Sequence, residues 1–221
     1  VALPEMAGHH VARVLRFKEG DALMLFDGRG GEWAAVISRI RKDEVHADLK
    51  SFDPVERELP FAVTLVQGIA AADKMDWIVQ KAVELGVAAI RPVAARRSVI
   101  RLSGERMERR VAHWQAVAAA ACEQCGRNRV PCVAPIVDLP QYLGEPCSEN
   151  ELRLLALPTE VRRLRDLSRP VGPISLLVGP EGGLEDGELL AARTAECEGV
   201  NLGPRVLRTE TANVAAVAGM T

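Results

Sequence analysis

The rhythm of apolar positions changes near Pro60. Before it, residues 22–26, 33–40 and 45–49 form short apolar or alternating runs with turn residues between them. Asp27-Gly28-Arg29-Gly30-Gly31 separates the first two runs. Aspartate-glycine followed by more glycine signals a hairpin, because these residues tolerate positive φ. A helical pattern over 7–15 comes first and ends in the turn Glu19-Gly20-Asp21. Short strands joined by tight turns predict a small β-barrel over residues 1–58, with 52–60 as a linker. After Phe61 the pattern alternates. Strands are predicted at 61–66, 87–93, 133–137, 152–157, 174–178 and 199–202. Helices are predicted at 73–85, from Ser103 to 121, at 184–197, and from Thr211 onward. In the first helix Met75, Ile78, Val79, Ala82 and Val83 share one side, and Gly86 stops it. Near-continuous apolar strands alternating with helices predict an α/β domain over 59–221, with a largely parallel sheet covered on both faces.

Two strand-to-helix junctions stand out. GPEGG, residues 179–183, follows the apolar run 174–178, and LGPRVLRTETA, residues 202–212, precedes the last helix. In open α/β sheets ligands bind beyond the carboxyl ends of the strands, so the two loops are expected to wall one pocket. Glycines after a strand also serve as plain turns. Glu181 within the first loop disfavours a phosphate and suits a neutral or cationic ligand. In the second loop Thr209 or Thr211 is expected to cap the helix, with Glu210 at its positive start. An ordinary capped helix with an Arg–Glu pair accounts for the same residues. No G-x-G-x-x-G follows the first strand of this domain and no P-loop pattern occurs, so dinucleotide and triphosphate readings lose their support.

Composition narrows the choice. The chain has 221 residues, 48% hydrophobic, enough for one or two domains with a core. No apolar run is long enough to cross a bilayer, and no secretory pattern opens the chain. The first residue is Val1, and an apolar helical pattern is under way at Thr221, so the natural chain is expected to extend further. A net charge of −2 and a pI of about 6.2 argue against a non-specific polyanion binder. Yet arginine outnumbers lysine 23 to 5, and Arg91, Arg96, Arg97, Arg101, Arg106, Arg109 and Arg110 fall close together, followed by Arg127 and Arg129. Arginine's planar fork suits phosphate, so this cluster leans towards RNA; solvated faces would also hold such residues.

Five cysteines, an odd number, point to a reduced, cytoplasmic setting. Cys122-x-x-Cys125 follows a helix instead of opening one, and no fourth zinc ligand is nearby. Small-residue packing is the favoured reading, and no metal is expected. The stretch 121–131 also carries Glu123, Gln124, Arg127, Asn128 and Arg129 at a helix end. Lys81 and Glu84 read as a surface pair or as part of a further polar stretch with Asp73 and Lys74.

HHVARVLRFKEGD, LFDG, DKMDWIVQKAVELGV, ACEQCGRNRVP, LLVGPEGGLEDGE and LGPRVLRTETA together carry a resemblance. Almost end to end, the chain resembles the bacterial 16S rRNA (uracil-N3)-methyltransferases of the SPOUT (knotted) superfamily. The resemblance implies a PUA-like β-barrel before a SPOUT α/β domain with a deep trefoil knot. No periodicity predicts a knot, since knots are rare in proteins. It further implies S-adenosyl-L-methionine as donor, a homodimer with composite sites, and methylation of N3 of one uridine of 16S rRNA. The target lies near the decoding centre of the assembled small subunit. On these residues, Leu157, Pro158, Gly179, Pro180, Glu181, Gly182, Gly183, Leu202, Gly203, Val206, Leu207, Arg208, Thr209 and Thr211 are the candidate donor pocket. Glu210 is the candidate base, and Arg208 and Arg205 are candidate stabilisers of uracil oxyanions. Arg13, Arg16, Arg96, Arg97, Glu123, Gln124 and Arg127 are candidate rRNA contacts. Two other classes remain open from the residues: a non-catalytic rRNA-binding protein, and a small-molecule enzyme built on the CxxC.

Overall fold

The computed structural model describes residues 1–42, 44–98, 104–168 and 170–220. Ser103 and Arg101, both singled out above, lie outside the described residues. The chain divides into two compact units, Val1–Arg57 and Glu58–Thr221.

In the first unit α1 (Glu5–His9) runs into a π-helical turn, His10–Val14. Then β1 (Ala22–Leu25), β2 (Glu32–Arg41) and β3 (Glu44–Asp53) form an antiparallel meander in the order β1-β2-β3. The glycine-rich hairpin lies where the pattern puts it: Leu25 pairs with Trp33, and Gly28, Gly30 and Gly31 all have positive φ. Gly31 has no room for a side chain, since a Cβ there would lie 2.2 Å from the Phe52 ring. The small core of this unit gathers Val11, Ile37 and Val45.

The second unit contains β4 (Val63–Gly68), α2 (Ala72–Glu84), β5 (Ala89–Ala94), α3 (Glu105–Cys125), β6 (Cys132–Val133), β7 (Val137–Asp138), α4 (Leu139–Leu143), β8 (Leu152–Ala156), β9 (Ile174–Val178), α5 (Asp186–Thr194), β10 (Glu198–Val200) and α6 (Thr209–Ala218). Its sheet has the order β10-β8-β9-β4-β5-β6, with β7 also on β5, and the strand pairings are parallel. The central strands are apolar because both faces are covered: Val63, Leu65, Val66, Leu176 and Leu177 are at most 1% exposed. The five apolar residues expected on one side of α2 are all fully buried. Gly86, with φ +87°, ends that helix, and a Cβ there would lie 2.8 Å from Leu59 Cγ.

Three expectations shift. The strand expected at 133–137 is two short pieces, because Pro135 between them has no N–H to give the ladder. The helix expected at 184–197 is shorter. Glu185 and Glu188 form a capping box at its start, and Glu196 in the left-handed region (φ 58°) follows its end. The last helix begins at Thr209, two residues early, and neither Thr209 nor Thr211 caps it. Arg208 is its extended N-cap residue, with no side-chain cap.

From β4 the chain moves to β5 on one side, then returns to β8 and β9 on the other. That reversal beside β4 makes a switch point, with a crevice at the carboxyl ends of the strands. β10 lies at the edge beside β8, while α6 packs on α2 and β9. The segment 201–208 therefore crosses from the sheet edge to its middle. At the start of the crossing Asn201 N donates to Arg162 O (2.7 Å), and Leu164 N donates to Asn201 O (3.0 Å). This crossing is laced to the loop after β8.

Candidate active site

Five segments meet at the strand ends. Leu157 and Pro158 follow β8; Gly179, Pro180, Glu181, Gly183 and Leu184 follow β9; Leu202, Arg205, Val206, Leu207 and Arg208 follow β10. Lys74 comes from the first turn of α2, and Thr209 and Ala212 from the first turn of α6. Together they enclose a cavity of about 380 Å³. Its walls are leucines, valine and proline with exposed loop backbone between them. Cavities of about 300–1,000 Å³ with apolar walls and a few fixed polar groups suit a small organic ligand.

The two glycine-bearing loops, distant in sequence, are tied by one side chain. Thr209 Oγ1 donates to Gly179 O (2.6 Å) and accepts from Gln67 Nε2 (3.0 Å). Gln67, fully buried in β4, also donates to Gly68 O (2.8 Å). This is why Thr209 does not cap its helix: its hydroxyl is turned into the sheet. Asn201 braces the other side. Its Nδ2 donates to Pro158 O (3.0 Å) and Glu160 O (2.9 Å), and its Oδ1 accepts from Gly203 N (2.5 Å). Thr209→Val keeps the shape but leaves Gly179 O and Gln67 without their partner. A stability loss of about 1–3 kcal/mol is expected in urea unfolding. A variant as stable as wild type would show that the tie is dispensable.

The charged groups are also ordered. Lys74 Nζ lies 3.3 Å from Glu181 Oε1 and 3.7 Å from Glu210 Oε2. Burial pushes the Glu181 carboxyl up, but the Ala71 N–H (3.0 Å) and Lys74 outweigh it. Its pKa therefore lies below the ordinary carboxylate value. Glu210 Oε2 is buried with no hydrogen-bond partner among the described residues.

Several candidates are placed differently from expectation. Glu210 pairs with Lys74 rather than with Arg205 or Arg208, and it is not among the described residues that line the cavity. Gly203 and Thr211 are off the wall too. Gly182 turns outward: Arg97 Nη1 donates to Gly182 O (3.2 Å), and a Cβ on Gly182 would lie 2.9 Å from Arg97 Cβ. Glu123 and Gln124 are exposed on the last turn of α3 and are not among the described lining residues. Arg127 is a correction to the RNA list, since it is 4% exposed and its guanidinium is committed inward to Glu58, Val83 O and Val87 O. Arg91, from the same arginine cluster, is bidentate to Glu145. Arg13, Arg16, Arg96 and Arg97 are exposed.

The first cysteine of the CxxC is a poor source of thiolate. Burial pushes the Cys122 thiol up to about 11, with Arg127 opposing, and its Sγ sits 3.5 Å from Arg129 O. Among the described residues no group of three or more His, Cys, Asp or Glu could hold a metal ion, and no helix is long and apolar enough to cross a membrane.

Sequence reasoning missed the roles of four residues: Lys74, Gln67, Gly68 and Asn201. Gln67 carried a faint signal, a polar residue just after an apolar strand run. Lys74 stands out in the sequence only as part of a polar stretch, and Gly68 and Asn201 carry no signal, since Pro180, Pro158 and Glu160, which they meet, lie more than 40 positions away.

A parallel sheet with a cavity at its switch point, preceded by a small antiparallel β unit, defines a two-unit α/β protein whose cavity suits an organic ligand. Comparison with known proteins gives the family. Residues 57–221 match the RNA methyltransferase domain, and residues 3–50 match the RNA methyltransferase PUA domain. The chain belongs to the RNA methyltransferase family. A ribosomal RNA small subunit methyltransferase E of Bacillus subtilis (strain 168) is 34% identical, over 96% of this chain and 86% of that one. The crystal structure of a ribosomal RNA small subunit methyltransferase E from Neisseria gonorrhoeae, bound to S-adenosyl methionine, superposes with a TM-score of 0.92. It is 39% identical and covers 100% of this chain and 90% of that one. A putative methyltransferase from Legionella pneumophila, in complex with the same cofactor, gives a TM-score of 0.95 at 36% identity, with the same coverage.

Proposed function

We propose that this protein transfers a methyl group from S-adenosylmethionine to N3 of one uridine in the RNA of the small ribosomal subunit. The target is a nucleotide near the decoding centre of the assembled subunit, and the protein acts in the cytoplasm as a homodimer with composite sites. One observation carries the reading. The cavity is walled by backbone-rich loops and apolar side chains, and a relative at 39% identity and TM-score 0.92 was crystallised with S-adenosyl methionine.

The residues present fit the donor. Leu157, Leu202 and Leu207 offer apolar walls for a flat ring, and the backbone at Gly179, Pro180 and Gly183 offers N–H and C=O groups to its edge. When bound, the donor supplies an electrophilic methyl on a sulfonium. The protein's own task is then positioning and charge stabilisation. Arg205 and Arg208, exposed at the cavity wall, can meet the uracil carbonyl oxygens, where negative charge grows as the N3 proton leaves. Glu210 pairs with Lys74 and is not among the described lining residues, which suits it to holding that lysine and not to taking the proton. Exposed Arg13, Arg16, Arg96 and Arg97 are the candidate contacts to rRNA phosphates.

Small subunits lacking the modification are expected to gain one N3-methyluridine when incubated with the protein and donor, read by mass-spectrometric mapping of the RNA. Arg208→Ala should lower turnover about 100-fold or more, the cost of losing one oxyanion donor, while donor affinity changes only a few-fold. No new N3-methyluridine with the wild-type protein sinks the proposal.

A further inference from the structure

The cavity wall carries a lysine that is not free to act as a simple cation. Lys74 Nζ sits 3.3 Å from Glu181 Oε1 and 3.7 Å from Glu210 Oε2, and these carboxylates arrive from different places. Glu181 comes from the loop after β9, and Glu210 from the first turn of α6. All three side chains are largely shielded, at 29%, 22% and 18% exposure. Lys74 and Glu181 line the cavity, and Glu210, beside the lysine, is not among the described lining residues. Two carboxylates and one ammonium leave one net negative charge set into this side of the wall. Arg205 and Arg208 line the cavity as well, but both are exposed, where solvent and salt screen them.

This inference rests on the methyl-donor reading of the cavity. The donor and its product have nearly the same shape, and both carry an α-ammonium and an α-carboxylate. They differ in one charge: the donor's sulfonium is positive and the product's thioether is neutral. A partly buried wall with one net negative charge attracts the first and is indifferent to the second. We propose that Glu181 and Glu210, held on either side of Lys74, are specificity-determining residues that leave this wall one charge negative, so that the cavity prefers the sulfonium donor over the thioether product. Two bare carboxylates would repel each other. The lysine offsets that repulsion and fixes their positions. The buried Glu210 Oε2, with no hydrogen bond among the described residues, is held by Lys74 through charge. The arrangement favours product release after each transfer.

Calorimetry with S-adenosylmethionine and S-adenosylhomocysteine on the full chain tests it, with the ratio of the two Kd values as readout. Wild type is expected to favour the donor. Glu210→Gln should cut that preference about fivefold, the effect of one charge several ångströms away in a partly shielded site, with the product's Kd changed less than twofold. Lys74→Arg keeps the charge and should keep the ratio. Lys74→Met should shift the ratio further towards the donor. A thermal melt of each variant shows that it is folded, and Glu210→Asp, which keeps the charge, should keep the ratio. Equal losses of both ligands in Lys74→Met overturn the inference, because Lys74 would then contact a group common to both. A Glu210→Gln ratio equal to wild type overturns it as well. Wild type that binds neither ligand overturns the methyl-donor reading along with it, whereas wild type that binds both without preference overturns only this inference.

Discussion

Gly68→Ala is expected to weaken S-adenosylmethionine binding at least about tenfold, although Gly68 is not among the residues that line the cavity. It ends β4, directly under the loop after β9. A Cβ built on it lies 2.5 Å from both Pro180 Cδ and Pro180 N, and 2.9 Å from the Gly179 carbonyl carbon. Two of those three atoms are backbone, and the third belongs to a rigid ring. No side-chain rotation relieves the clash, so the loop itself must shift. That loop supplies Gly179, Pro180 and Glu181 to the wall, and Gly179 O accepts the hydrogen bond from Thr209 that joins the two loops. A displacement there moves several walls together. Overpacking of this kind costs about 1–3 kcal/mol of stability as well, so the melting temperature should fall by several degrees. Gly187→Ala is the control. It sits in α5 with nothing within 4 Å of the added Cβ, and it should leave binding unchanged. Calorimetry on the two variants decides the matter, and equal affinities would show that the loop adapts without cost.

Arg127→Met is expected to cost about 3–5 kcal/mol of stability, the usual loss when one member of a buried ion pair is removed. For a unit of this size that is about 10 °C in melting temperature. The arginine follows α3, after Gly126 has closed that helix in the left-handed region (φ 80°), with its N–H on Cys122 O at 2.9 Å. From there the side chain runs inward. Its Nε donates to Glu58 Oε1 at 3.0 Å and its Nη2 to Glu58 Oε2. Its Nη1 donates to Val83 O at 2.8 Å and to Val87 O at 3.1 Å. One guanidinium thus holds the entry to β4, the end of α2 and the entry to β5. Methionine fills a similar volume but takes the guanidinium from the Glu58 carboxylate and from Val87 O, and leaves Val83 O with the Gly86 N–H (3.0 Å) alone. Arg96→Met should change the melting temperature by about one degree or less, since that side chain is 77% exposed and its Nε lies 3.8 Å from Glu185. Comparable melting shifts in the two variants, read by calorimetric scans, would contradict the buried role.

How far the site could be read in advance depended on how locally each residue acts. GPEGG and LGPRVLRTETA each lie at a strand end, and a strand end is visible as the limit of an apolar run. Leu157, Gly179, Leu202 and Leu207 therefore reach the cavity as their positions imply. Side-chain direction is a different matter. Gly182, within the same five residues, turns to Arg97, and Glu210 turns to Lys74. Arginine composition misled in a similar way. In the cluster read as a basic surface, Arg91 is committed to Glu145 and Arg127 turns inward to Glu58, because a guanidinium that satisfies its fork on a carboxylate looks no different in sequence from one that meets phosphate.

The sequence by itself determined the elements and the family. The change from short turn-separated strands to alternating strands and helices comes from local periodicity and turn chemistry, and the motif set carries the family. Only the tertiary structure decided what joins the loops. Thr209 meets Gly179 across 30 positions, Gln67 meets Thr209 across 142, and Lys74 lies between Glu181 and Glu210. These contacts depend on β4 and β9 lying side by side and on the last segment crossing from the sheet edge to its middle. Strand order and chain crossing are set by packing summed over the whole sheet, and no short stretch of sequence encodes them.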